Sequence, residues 1–219
     1  MNDFTEIDLR SWKRRPKFEY YRTFQNQLVN LTVELDASAL YHCAKSRGVS
    51  FFLLTLYAVL RAVDSVPQLR QRILPDGRVI EFRHTAVLTP VMAGEEEFSM
   101  ALAEYAGTFD EFRKQAEPAV AAAKRGEFDP EVRKRNDFFC ASCVPWFSFQ
   151  SLSQAALTTD QSIVILAWGR LTEEKKLPVA VQANHSLVDG IHFGHFYQAL
   201  GDFFKAPESL FALSDHAQI

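Results

Sequence analysis

The sequence predicts an α+β fold, in which helices pack on one large mixed β-sheet, and a single domain that spans residues 1–219. Helical patterns are grouped early in the chain, and strand patterns dominate its middle. The 219 residues are 47% hydrophobic and 23% charged, which is enough apolar material for one sizeable core. The sequence has no repeat, low-complexity linker or hinge rich in proline and glycine, and this continuity favours one domain.

The first part of the chain predicts short helices around one strand. An extended lead-in and a helix over residues 14–24 precede a strand over 27–35, where apolar and polar residues roughly alternate. Asp36 and Ser38 are typical N-cap residues for the helix that follows. Residues 51–60 are apolar on almost every side, which indicates a buried helix too short to cross a membrane.

The same periodicities predict the remaining elements. Strands are predicted over 78–83, 86–92, 98–105, 138–144, 147–153, 162–171 and 177–184. Helices are predicted over 109–124 and 191–204, with a shorter one that begins at Pro67. The last helix carries six apolar or aromatic residues on one face: Phe193, Phe196, Tyr197, Leu200, Phe203 and Phe204.

Charge and targeting signals exclude several classes of protein. The net charge is -3 and no basic patch dominates, so the chain is not a typical nucleic-acid-binding protein. No apolar run is long enough to span a bilayer, and residues 1–4 do not resemble a signal peptide, so we expect a cytoplasmic protein that binds no membrane. The motifs of dinucleotide-binding enzymes, P-loop nucleoside triphosphatases, lipase-type hydrolases and zinc proteases are missing from the sequence.

The cysteines and the last histidines do not predict a metal site. Cys140 and Cys143 follow the pattern C-x-x-C, but both fall in a predicted strand, where residues three apart point to opposite faces. His192 and His195 lie one turn apart on the last helix, with no carboxylate or cysteine beside them to complete a ligand set. We therefore expect surface histidines and no metal.

One stretch near the C-terminus carries side chains suited to catalysis. The strand predicted over 177–184 ends one residue before His185, and Asp189-Gly190 turns the chain into the last helix. A strand end beside a glycine turn can hold an imidazole rigidly and leave it accessible. Neutral histidine is suited to general-base catalysis near pH 7. The pattern H-x-x-x-D-G alone is equally compatible with a hydrogen-bonded structural histidine followed by a turn.

Three segments together resemble the chloramphenicol acetyltransferase family over nearly the whole chain. They are Asp8-Leu9-Arg10-Ser11-Trp12-Lys13-Arg14-Arg15 with Phe18-Glu19-Tyr20-Tyr21-Arg22, then Pro145-Trp146-Phe147-Ser148-Phe149-Gln150-Ser151, and finally His185-Ser186-Leu187-Val188-Asp189-Gly190. The resemblance implies that family's CoA-dependent acyltransferase fold and an antibiotic-resistance enzyme. It would be an O-acetyltransferase with acetyl-CoA as co-substrate and chloramphenicol or a related small hydroxylated compound as acceptor. Dihydrolipoyl acyltransferases share the histidine and Asp-Gly pattern but lack the other two segments.

The resemblance also implies a role for each matching residue. His185 would be the general base, and Ser151 would donate a hydrogen bond to the oxyanion of the tetrahedral intermediate. Asp189 would pair with Arg14 and fix the loop that carries the histidine. The implied substrate-binding residues are Tyr20, Tyr21, Thr89 and Phe138, with Phe139 as the alternative to Phe138. The plainer alternatives are a strand serine, a solvated arginine and tyrosines that only pack.

The family's enzymes are trimers, so the resemblance implies a homotrimer with active sites at the subunit interfaces. His185 of one subunit would meet Ser151 and the acceptor pocket of its neighbour. Two other functions stay open at this point. One is a non-catalytic trimeric ligand-binding protein on the same scaffold, and the other is an acyltransferase for carrier-bound acyl groups.

The chain departs from the family pattern at positions expected near the acceptor. Asn184 stands where the family usually has a second histidine, and Gln25 and Gln27 stand where its pocket tends to be less polar. These differences predict a more polar pocket, suited to a hydroxylated acceptor other than chloramphenicol, while the reaction centre is kept.

Overall fold

The computed structural model describes residues 3–213. In chain order the elements are β1 (Phe4–Glu6), α1 (Arg15–Tyr21), β2 (Leu28–Asp36), α2 (Ser38–Ser46), α3 (Phe51–Asp64), β3 (Gln71–Ile73), β4 (Val79–Phe82), β5 (Ala86–Met92), β6 (Phe98–Ala103), α4 (Phe109–Lys124), β7 (Phe138–Cys143), β8 (Ile165–Trp168), β9 (Lys176–Asn184) and α5 (Gly190–Lys205). Short 3₁₀ helices lie at Pro67–Arg70, Pro130–Lys134 and Pro207–Leu210. Within residues 3–213, no helix combines the length and the apolarity that a membrane crossing requires.

A six-stranded sheet with the strand order β2-β9-β8-β7-β5-β6 forms the centre of the fold. β7 lies parallel to both of its neighbours, β8 and β5. The other three pairs, β2 with β9, β9 with β8 and β5 with β6, are antiparallel. A second sheet has the order β1-β4-β3. The predicted α+β architecture with a large mixed sheet is confirmed.

One face of the six-stranded sheet carries the main hydrophobic core. Val179, Val181 and Ala183 of β9 belong to it, as do the buried phenylalanines of α5. Helix α3 is buried on almost every side, as its sequence predicts, and the Ser50 hydroxyl caps it by accepting from the Leu53 amide. Truncating a buried core phenylalanine to alanine costs about 3–5 kcal/mol, so this packing anchors α5 directly after the His185 turn.

The opposite face of the sheet has less cover. A small cluster occupies part of it and consists of Ala86, Leu88, Val132 and Phe138. Side chains alternate between faces along a strand, so Met92 and its cross-strand partner Phe98 lie on the same face as Leu88. Met92 is 40% exposed and Phe98 is 64% exposed. This face therefore ends in an uncovered apolar region.

The strand predicted over residues 147–153 is wrong. Residues 144–164 form a loop between β7 and β8, hereafter the β7–β8 loop, because no neighbouring strand offers this segment a ladder. Its carbonyl groups bind elsewhere: Phe147 accepts from the Arg170 amide at 2.9 Å, and Leu152 accepts from the Asn30 side chain at 2.8 Å. The strand predicted over 162–171 shortens accordingly to Ile165–Trp168.

Three smaller differences concern the ends of two helices and one short strand. Helix α1 covers Arg15–Tyr21 instead of 14–24. The N-cap of α2 is Ala37, because Asp36 turns its carboxylate to the amide and hydroxyl of Ser38, at 3.0 and 2.6 Å. Strand β3 was not predicted, since its three residues are too few to show an alternating pattern.

Candidate active site

The turn after β9 presents the imidazole of His185. Strand β9 ends at Asn184, whose carbonyl oxygen accepts from the amides of Leu187 and Val188, at 3.0 Å each. His185 Nδ1 lies 2.9 Å from the carbonyl oxygen of Val188. A carbonyl only accepts, so in the neutral ring Nδ1 carries the proton and Nε2 keeps its lone pair. With 31% of the side chain exposed, this nitrogen is suited to take a proton from a ligand.

Tyr21 covers one face of the His185 ring. The two rings stack with their centroids 3.9 Å apart and an angle of 12° between their planes. Tyr21 is the last residue of α1 and contacts Tyr20 and Phe24 edge to face, at 5.3 Å in each case. Tyr20 is 60% exposed. The two tyrosines therefore differ in position: Tyr21 packs on the imidazole, and Tyr20 extends an accessible aromatic surface next to it.

Arg14 joins the start of α1 to the His185 turn through four hydrogen bonds. Its Nη1 and Nη2 donate to the two carboxylate oxygens of Asp189, at 2.5 and 2.9 Å. Its Nη2 and Nε also donate to the carbonyl oxygens of His185 and Ser186, at 2.9 and 2.8 Å. Exposed fractions are 11% for the Arg14 side chain and 19% for that of Asp189. The planar guanidinium thus fixes the turn at the residue that carries the imidazole.

Hydrogen bonds and burial set the charges of the side chains in this turn. Hydrogen bonds from Arg14 hold the pKa of Asp189 well below its usual value, so this carboxylate is ionised at neutral pH. Burial lowers the pKa of His192, whose Nδ1 accepts from the Asp189 amide at 2.8 Å. The expectation of a surface histidine is therefore wrong for His192, which is half-buried and binds the first turn of α5.

Buried side-chain amides fix the start of the His185 turn. Gln27 Oε1 accepts from Asn184 Nδ2 at 3.3 Å and from Ser186 Oγ at 3.2 Å. Gln27 Nε2 donates to the Arg22 carbonyl at 3.3 Å, and its backbone carbonyl accepts from the His185 amide at 2.7 Å. Gln27 is only 6% exposed. The prediction that Gln27 makes the acceptor pocket more polar is wrong, because this amide is engaged in fixing the His185 turn.

Ser151 lies on the β7–β8 loop and makes no hydrogen bond to the imidazole of its own chain. The serine is exposed and makes no hydrogen bond within residues 3–213. No contact between described residues joins it to His185. Within one chain, no hydrogen bond therefore links the two residues that the resemblance implies at the reaction centre.

A large, mostly apolar cavity of about 1020 Å³ opens where β5 and β7 separate. These strands pair only over residues 86–88 and 138–140, so their later parts leave a gap in the sheet. Its walls include six apolar side chains: Phe52, Pro90, Phe98, Met100, Trp146 and Ile165. Gln154 and Ala155, from the loop that carries Ser151, also line it. The sequence did not predict this cavity, because it depends on where two distant strands part.

The cavity and His185 occupy separate places within one chain. Strand β9 is antiparallel to β8, whereas β8, β7 and β5 all run in the same direction. The end of β9 therefore lies at the end of the sheet where β5 and β7 begin, whereas the cavity opens from the point where these two strands part. Accordingly, neither His185 nor the tyrosine pair lines the cavity.

Thr89 and Phe138 lie near the cavity without lining it. Thr89 is 1% exposed on β5, directly before Pro90, and its hydroxyl has no hydrogen-bond partner among the described residues. Phe138 is packed in the small cluster, whose partners Met100 and Cys140 line the cavity, and Phe139 belongs to the main core. The predicted substrate-binding residues therefore form two groups, the tyrosines beside the imidazole and these residues behind the cavity wall.

The cysteines at the cavity are not reactive thiolates. Burial raises the pKa of Cys140 and of Cys143 to about 11, so both thiols are protonated at neutral pH. Across the described part of the chain, no three histidine, cysteine or carboxylate side chains converge in an arrangement that could hold a metal ion. Both cysteines serve as wall residues of the cavity.

Comparison with known proteins gives one consistent match. The family model for chloramphenicol acetyltransferase matches residues 1–201. Chloramphenicol acetyltransferase 2 of Escherichia coli is 27% identical over 203 residues, which cover 90% of this chain and 95% of the relative. The chloramphenicol acetyltransferase of Staphylococcus aureus is 26% identical over 211 residues, covering 94% and 97%.

Solved structures agree with the sequence comparisons. A chloramphenicol acetyltransferase structure superposes with a TM-score of 0.85 at 30% identity, covering 92% of this chain and all of the other. A probable dihydrolipoamide acetyltransferase from Listeria monocytogenes superposes with a TM-score of 0.65 at 16% identity, covering 92% and 94%. The second match shows a shared fold alone.

Proposed function

The chain belongs to the chloramphenicol acetyltransferase family, whose members are acyltransferases with acetyl-CoA as co-substrate, and we propose that it acetylates a hydroxyl group of chloramphenicol or of a related small acceptor. One observation carries the assignment of the base. The bond between His185 Nδ1 and the Val188 carbonyl leaves the Nε2 lone pair to accept a proton, on a side chain that is 31% exposed. A merely structural histidine has no need of an accessible lone pair.

The reaction uses His185 first as a base and then as an acid. Nε2 removes the proton of the acceptor hydroxyl while its oxygen attacks the thioester carbonyl carbon of acetyl-CoA. The tetrahedral intermediate then expels the CoA thiolate, which takes the proton back from the imidazolium, leaving the acetyl ester and free CoA. A positioned base of this kind accelerates the reaction by about 10²–10⁴-fold. Stacking on Tyr21 and the Val188 bond fix the ring plane for both transfers.

We propose that Ser151 stabilises the oxyanion of the intermediate. Its hydroxyl is exposed and is not engaged by any other described residue, so it is available as a donor. One such donor contributes about 3 kcal/mol to transition-state stabilisation. Its loop also supplies a wall of the apolar cavity, which is wide enough for an aromatic acceptor or part of the acyl donor.

We further propose that each active site combines residues of two subunits in a homotrimer. Within a single chain, His185 does not line the cavity. Exposed apolar residues border the cavity, among them Phe98 and Trp146, which are 64% and 60% exposed. Apolar surface of this kind is typical of a subunit interface. Docking a neighbour's His185 turn against this region would complete the site.

The test is thiol release from acetyl-CoA with chloramphenicol as acceptor. Release should require the drug and should fall by at least about 10²-fold in His185→Ala and in Ser151→Ala. If chloramphenicol is not acetylated, a panel of small hydroxylated acceptors tests the acceptor separately from the reaction. If no acceptor in the panel causes thiol release although the protein still binds ligands, the non-catalytic binding protein would be favoured over the enzyme.

A further inference from the structure

Ser151 owes its position to the residues next to it. It makes no hydrogen bond of its own among the described residues, and the β7–β8 loop around it has no ladder partner. Backbone groups must nevertheless be satisfied, and a loop held only by solvent would not present a hydroxyl in a fixed place. The contacts of the residues next to Ser151 therefore decide the position of its hydroxyl.

Two side-chain amides of the sheet supply these contacts. Asn30 Nδ2 donates to the Leu152 carbonyl at 2.8 Å. The backbone amide of Gln154 donates to Gln182 Oε1, and Gln182 Nε2 donates back to the backbone carbonyl of Gln154, at 3.2 Å each. The Gln182 side chain thus replaces the neighbouring strand that the loop lacks. Residues directly after Ser151 are held at two points.

The two amides lie side by side on the sheet. Asn30 of β2 and Gln182 of β9 are paired in the antiparallel register. Gln182 lies between the core residues Val181 and Ala183 on β9. Its side chain therefore projects from the face of the sheet opposite the core, where the β7–β8 loop runs. It is 5% exposed, and its reciprocal bonds define which end of the amide is the donor. Its strand also ends at the His185 turn.

We infer that Asn30 and Gln182 are positioning residues that set the place of the Ser151 hydroxyl for the oxyanion. This inference rests on the proposed function, because it assigns a task to Ser151. A single strand then serves two active sites of the proposed trimer. Gln182 orients the oxyanion donor of one site, and His185, three residues later, supplies the base to the next.

A double-mutant cycle between Gln182→Met and Ser151→Ala tests the inference. Methionine keeps the length of the side chain and removes both hydrogen bonds. Gln182→Met should lower kcat about tenfold, equivalent to about 1.4 kcal/mol, and leave both KM values within about twofold. In the Ser151→Ala background the same change should cost less than about twofold, since no donor remains to be misplaced. Gln198→Met, on the exposed face of α5, is the matched control and should change neither value.

Two further variants keep the test decisive if Gln182→Met folds poorly. Asn30→Ala removes only the bond to Leu152 and should show the same dependence on Ser151. Gln182→Glu keeps an acceptor for the Gln154 backbone amide but turns a second oxygen toward the Gln154 carbonyl, so it should also lower kcat in a manner that depends on Ser151. Hydrogen exchange of the Gln154 amide should accelerate in Gln182→Met, whether or not the protein acetylates anything.

The outcomes separate the positioning role from the proposed function. Three results would overturn the positioning role while leaving acetyl transfer intact. They are an equal fall in kcat in both backgrounds, an effect of Gln182→Met on KM alone, and full activity of Gln182→Met. A wild-type protein without acetyl transfer to any acceptor would overturn both. Non-additive losses in kcat with faster exchange at Gln154 would establish the role.

Discussion

Replacing Asp189 by asparagine tests whether the pair with Arg14 holds the His185 turn in place. The new side chain keeps its shape, but the two-point contact loses its charge and one of its two acceptors. Breaking a fully buried pair costs about 3–5 kcal/mol. Here the side chains keep 11% and 19% exposure and Arg14 keeps its two carbonyl acceptors, so we expect a loss of about 2–3 kcal/mol.

Thermal unfolding at matched protein concentration measures this loss. For a chain of this size, 2–3 kcal/mol corresponds to a fall in Tm of about 4–12 °C. Asp202→Asn is the matched control, because that carboxylate lies on the exposed face of α5 and, among residues 3–213, accepts only from Gln198. It should shift Tm by no more than about 1–2 °C, the range of ordinary surface substitutions.

The effect of Asp189→Asn should depend on pH in one direction. The pKa of Asp189 is lowered in the folded protein, so the unfolded chain binds more protons at acid pH. The stabilisation is complete above the unfolded pKa of about 3.9 and is lost as the pH falls below it. The Tm difference between wild type and variant should stay constant from about pH 8 to 5 and shrink below about pH 4. A difference near zero at pH 7, or one that grows on acidification, would refute the reasoning.

Three other predictions concern the proposed composite site and the cavity beside it. Mixing His185→Ala chains with Ser151→Ala chains should restore about one quarter of the sites after random reassortment, because only an intact serine beside a neighbour's intact histidine completes a site. No recovery of thiol release after reassortment would indicate sites within single chains. Tyr21→Ala should lower kcat/KM about three- to tenfold, which corresponds to the energy of one aromatic stack. Tyr21→Phe keeps the ring and should retain most activity. Equal losses in the two variants would contradict a stacking role. Cys140 and Cys143 should react with iodoacetamide at pH 8 at least about a hundredfold more slowly than free cysteine, by mass spectrometry. Rapid alkylation of either would contradict their burial.

Local signals in the sequence predicted most of the helices and strands. Helix α4 begins and ends at the predicted residues, because Thr108 and Glu111 form a capping box and Gly126 follows its end. The predicted strand over 147–153 failed for a tertiary reason. Its apolar residues alternate as in a strand, but a strand also needs a neighbour, and here the side chain of Gln182 takes that place.

The candidate site was predictable only in part for the same reason. His185, Arg14 and Asp189 belong to short segments with distinctive spacing, and the structure brings them into one hydrogen-bonded unit. The task of a buried glutamine cannot be read from its neighbours in sequence, because it depends on which backbone groups pass nearby in the fold. Gln182 therefore carried no signal before the contacts were known, and Gln27 was assigned to the acceptor pocket instead of the His185 turn.

These glutamines change where acceptor preference should be sought. Gln27 does not make the acceptor pocket polar, since its amide binds Asn184, Ser186 and the backbone of the His185 turn. The cavity itself is walled mostly by apolar side chains, and the buried hydroxyl of Thr89 behind it has no partner among the described residues. An apolar cavity selects acceptors by shape and ring size more than by hydrogen bonds. Substitutions at Phe98 or Met100 should therefore alter the ranking of acceptors more than Gln27→Leu, which should instead lower kcat for every acceptor alike.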